Sequence, residues 1–133
     1  MRRLPRLAAG AIAAALALFA TSRTPAASVL DFDLWMRAID KRSVSVQKAI
    51  AAHDTAAAAD DARELERLYA LMEDWFVKDG NAPDAVTIAH DGRTLAAAIP
   101  AALDAHDEAA ALQSARGIAH ACNDCHDTYK PFK

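Results

Sequence analysis

From Ser28 onward, apolar residues recur every three or four positions, and polar clusters interrupt the pattern three times. Phe32, Trp35, Met36, Ile39, Ser43, Val46 and Ile50 share one face, which predicts a helix over 28–52. Asp31 or Asp33 in its first turn and Lys48 near its end complement the helix dipole. His53-Asp54-Thr55 predicts a turn, with Asp54 or Thr55 as the next cap. A second helix is expected over 56–78. Its stripe is Leu65, Leu68, Met72 and Trp75, widened by Tyr69, Leu71 and Phe76, and its polar face runs from Arg63 to Asp74. Gly80 and Pro83 break the chain there. A third helix over 84–103 carries Val86, Ile88, Ala89, Leu95 and Ile99. Gly92 weakens it, and Pro100 is expected to kink it or end it early. After a turn at 104–107, Leu112, Ala115, Ile118 and Ala119 lead a fourth helix over 107–129, which Pro131 stops. No stretch alternates with the period of a strand. The expectation is an all-α fold, an antiparallel up-down-up-down four-helix bundle over 28–133. A domain this small has a limited apolar core.

The first 27 residues read differently. Arg2, Arg3 and Arg6 precede an apolar run from Leu7 to Ala20, and a small-residue zone follows up to Ala27. This is the layout of a cleaved secretory signal peptide, 1–27, and it implies export to the periplasm. The apolar run is short for a membrane span of about 20 residues. Removing it takes away four arginines and no acid, so the formal charge goes from −3 to −7. Such an acidic surface argues against nucleic acid and anionic membranes as partners.

Candidate chemistry is concentrated near the C-terminus, in Cys122-Asn123-Asp124-Cys125-His126. Cys-x-x-Cys alone fits a redox dithiol or half of a zinc site. These are the only two cysteines of the chain, so no second pair completes a zinc site. A redox dithiol normally accompanies a βαβ pattern, which is missing. Cys-x-x-Cys-His, behind an export signal, is the attachment pattern of haem c. Cys122 and Cys125 would form thioethers with the haem vinyl groups, and His126 would be the proximal ligand to iron.

Four helices with Cys-x-x-Cys-His on the last resemble the class II c-type cytochromes, cytochrome c′ and its low-spin relative cytochrome c556. Class I members carry the motif near the N-terminus. Ala121 to Lys130 is similar to the family ending C-x-x-C-H-x-x-[YF]-[RK], with Lys130 in place of the usual Arg. Asn81-Ala82-Pro83 also matches, although the aromatic expected after the Pro is absent. The resemblance implies one covalent haem c and a distal position on the first helix. In c556-like members a Met there ligates iron, and Met36 is the candidate; an ordinary core role for it stands as the alternative. Met72 is a rival, and Ile39 would cap an empty distal site in a c′-like protein. Trp35, Trp75, Phe76 and Tyr129 are candidates to pack on the macrocycle, and Arg37 and Arg42 to reach a propionate. His53 and His106 are expected in solvated turns; His90 and His120 lie in helices and are expected at the surface, with a bis-His ligand role as the alternative for either. The implied function is periplasmic mono-haem electron transfer with periplasmic or membrane-bound redox proteins, and not an enzymatic reaction. The alternative is five-coordinate capture of NO or CO. A homodimer is compatible with either.

Overall fold

The computed structural model describes residues 26–129. Most of the expected leader and the segment holding Lys130 and Pro131 lie outside these residues. Four helices follow one another: α1 Val29–Ala51, α2 Thr55–Asp79, α3 Pro83–Asp104 and α4 Glu108–Tyr129. No strand occurs among the described residues. No helix among them is long and apolar enough to cross a membrane.

Each boundary has a local cause. Ser28 caps α1: its hydroxyl accepts from the Asp31 backbone N–H at 3.2 Å, and the Asp31 carboxylate accepts from the Ser28 N–H at 2.7 Å. This reciprocal box satisfies two donors that a helix start leaves open, and it holds the Asp31 carboxyl below the usual carboxylate range. Asp54 caps α2 through Ala57 N at 3.0 Å, and Asp107 accepts from Ala110 N at 2.9 Å in the first turn of α4. Gly80 ends α2 with φ of 71°, a left-handed conformation that costs Gly little. Pro83 starts α3 where no backbone donor is needed. Pro100 does not end α3 early: the helix runs through it to Asp104.

The α1–α2 and α3–α4 turns are the same device. His53 and His106 sit at φ of 57° and 56°. His53 N donates to Ile50 O at 3.0 Å and Asp54 N to Ala49 O at 2.9 Å. His106 N donates to Leu103 O at 3.0 Å and Asp107 N to Ala102 O at 2.8 Å. These are Schellman closures with His in the place Gly usually takes. The residue after each His caps the next helix. Both turns lie at one end of the molecule, where the His53 ring reaches the Glu108 carboxylate at 2.9 Å.

Such short connections make sequential helices antiparallel neighbours. α2 packs most extensively against α3, and α1 meets α4 to close the ring, most lightly of the four pairs. The buried stripe of α3 is mainly small, with Ala85, Ala89, Gly92 and Ala96, and admits the Leu65, Leu68, Tyr69 and Met72 stripe of α2. Leu65, Leu68, Ile99, Ile118 and Val46 form the fully buried centre. Each such side chain contributes about 1.5–3 kcal/mol by leaving water. Asp61 on α2 is buried and accepts from Arg42 on α1. Phe32, Trp35, Trp75 and Phe76 zip α1 to α2 at the end opposite the His turns, with ring centroids 5.1–6.4 Å apart.

Candidate functional site

Buried positions on α4 run Ala111, Ala115, Ile118 at spacings of four and three. The next two steps of the same rhythm are Cys122 and Cys125. Helical geometry therefore aims both thiols at the bundle interior, at the end away from the His turns. His126, four residues after Cys122, stands beside it on the same face.

The three side chains meet a cleft that is apolar inside and charged at its α1 rim. An inner cavity of about 30 Å³ is lined by Cys122, Cys125 and His126 from α4, by Met36, Ile39 and Asp40 from α1, by Tyr69, Met72 and Phe76 from α2, and by Ala85, Ile88 and Ala89 from α3. A groove of about 420 Å³ lies between α1 and α4, walled by Phe32, Asp33, Met36, Arg37, Asp40, Phe76, Cys125 and His126. That volume is in the range of small-molecule and cofactor sites. Met36, Asp40, Phe76, Cys125 and His126 belong to both spaces, so the groove leads onto the cavity. The groove lies between α1 and α4, which are joined by no turn and pack most lightly of the four pairs. On α3 two of the three lining residues, Ala85 and Ala89, are alanines beside Ile88, and their small volume leaves space there.

Burial sets the electrostatics around the two thiols. Burial pushes the Cys122 and Cys125 thiols up from their ordinary range, with Tyr69 pulling Cys122 back slightly. A redox dithiol needs the reverse, an electropositive setting that depresses a thiol. Burial also pushes up the Tyr69 phenol, whose oxygen lies 3.5 Å from Cys122 Sγ. Among the described residues no group of three or more His, Cys, Asp or Glu side chains gathers as a metal site. Two half-buried thiols and one imidazole from α4 line the same inner cavity.

Sequence-derived candidates separate accordingly. Cys122, Cys125, His126, Met36 and Phe76 come together. Ile39 and Met72 line the inner cavity but not the groove. Trp35 and Trp75 turn to an outer α1–α2 hollow with Leu71 and Lys78. Arg37 stands on the groove wall, paired with Asp33 at 2.9 Å, whereas Arg42 is committed to Asp61. His90 and His120 are exposed, and His90 meets Glu73 at 3.1 Å. Tyr69, Phe32 and Asp40 were not singled out by their spacing as site residues. Tyr69 had one signal: a glycine, Gly92, interior to the facing helix. No protein-family model, curated protein or solved structure matches the chain.

Proposed function

We propose that the chain is a periplasmic mono-haem c-type cytochrome that works as an electron carrier. The observation that carries this reading is that Cys122 and Cys125 continue the buried stripe of α4 and line, with His126, an inner cavity onto which a groove of cofactor size leads. The Cys-x-x-Cys-His motif supplies the chemistry that such a cleft would receive, and its place on the fourth helix is the class II cytochrome layout. When bound, a haem supplies one-electron iron chemistry.

The residues of this chain have distinct tasks in that reading. Cys122 and Cys125 hold the porphyrin through thioethers, so it stays attached even when the bundle unfolds. His126 provides the proximal imidazole. Met36 is the proposed distal ligand: it shares both cavity and groove with His126, whereas Met72 reaches the cavity alone. Ile39, Phe76 and Ala89 exclude water, which disfavours the more highly charged oxidised state. Arg37 is placed to leave Asp33 for a propionate. Redox proteins of the periplasm or its membranes are the partners this reading implies.

Denaturing mass spectrometry of the chain made with a c-type maturation system tests the proposal. The expected mass is the processed polypeptide plus one haem, and a haem-free mass under those conditions overturns the reading. Met36→Ala should abolish the weak near-infrared band of Met–His ligation and admit CO. A wild-type protein that is already high-spin and binds CO overturns the Met36 assignment in favour of the gas-binding, c′-like alternative.

A further inference from the structure

We propose that Tyr69 is a positioning residue for Cys122: its hydroxyl holds this sulfur in the inner cavity so that Cys122, and not Cys125 alone, forms a thioether. The inference rests on the haem reading above. Tyr69 is 5% exposed, and a buried phenol needs a hydrogen-bond partner. Its oxygen lies 3.5 Å from Cys122 Sγ, and the phenol is the better donor of the two. The ring is fixed from behind. A Cβ on Gly92 would stand 2.5 Å from Tyr69 Cε1 and 2.6 Å from Cζ, so the ring occupies the space a side chain would take.

The two thiols differ in access. Cys125 lines the groove as well as the inner cavity, whereas Cys122 lines the inner cavity alone. A group entering by the groove meets Cys125 first, so Cys122 must already be aimed. The step needs no outside oxidant or reductant: the S–H adds across a vinyl C=C, a C–S bond forms at one carbon, the proton ends on the other, and the π bond is lost. Its rate depends on alignment, and a misplacement of about 1 Å costs on the order of 100-fold.

Reduced full-length protein is mixed with haem under reductant, and free thiols are alkylated and located by mass spectrometry over time. Tyr69→Phe keeps the ring and removes the hydroxyl. It should slow attachment about 10-fold or more in a Cys125→Ser background, where Cys122 works alone. In a Cys122→Ser background the same change should have no effect. A merely structural Tyr69 would slow both backgrounds together. Equal rates with and without the hydroxyl in the Cys125→Ser protein, or equal slowing in both, overturn the inference while leaving haem attachment intact. A wild-type chain that takes up no covalent haem in this assay or with the maturation system overturns both.

Discussion

Replacing Gly92 by Ala should destabilise the protein, against the ordinary trend for a helix interior. By helix propensity alone the change gains about 0.8–1 kcal/mol, because Ala loses less backbone freedom than Gly. Here the new methyl would sit 2.5–2.7 Å from three carbons of the Tyr69 ring, well inside van der Waals contact. The obstacle is the body of an aromatic ring on a packed helix, not the tip of a flexible chain, so relief requires a shift of about 1 Å into the cavity. Overpacking of this kind costs about 1–3 kcal/mol, leaving a net loss of about 0–2 kcal/mol after the propensity gain. For a domain near this size that lowers Tm by several degrees, at roughly 4–8 °C per kcal/mol. Urea unfolding of wild type, Gly92→Ala, Tyr69→Leu and the double variant, all in one haem state, measures the coupling. The double variant should recover the Ala benefit, because no ring remains to collide with. If Gly92→Ala alone is more stable by about 1 kcal/mol, the ring does not depend on that space and the reasoning fails.

Arg42→Ala should cost somewhat less than the ~3–5 kcal/mol of breaking a fully buried pair, since Asp61 is buried while the Arg42 side chain is 43% exposed; urea titration measures it, and a change near zero would show that water already reaches Asp61. The Glu108 carboxylate raises the His53 pKa above its ordinary value, so the link between the two turns is fully present below about pH 6.5 and is lost as pH rises through the raised folded value. A small fall in Tm over that interval should vanish in Glu108→Gln, and an identical slope in the variant would rule out the pair as its source.

Four helices and their ends were legible because Leu65, Leu68 and Met72 on α2, like Ile39, Val46 and Ile50 on α1, announce their faces by spacing. The place of the Cys-x-x-Cys-His motif on the last helix was equally plain, because the motif is local. Three features were not legible, for physical reasons. Pro100 reads as a break, yet α3 continues to Asp104 because packing outweighs one lost hydrogen bond. His53 and His106 close their turns in a conformation that sequence rules assign to Gly, although the repeated Ala-His-Asp preceding α2 and α4 was there to be compared. Tyr69 looks like one more apolar position on α2. Its contact with Cys122 joins residues 53 apart in sequence, and no periodicity reports such a meeting.

The matched turns also give the molecule a front and a back. Cys122 and Cys125 follow Asp107 by 15 and 18 residues along α4, so roughly 22–27 Å of packed bundle separates the Ala-His-Asp pole from the thiols, at about 1.5 Å per residue. Nothing at the back touches the cleft. A linker grafted between Ala105 and Asp107, or a surface that grips this pole, would hold the protein upright with the Cys122–His126 face pointing away into solution. Orientation on an electrode or a membrane-tethered scaffold can thus be set from one end while the other is left as it folds.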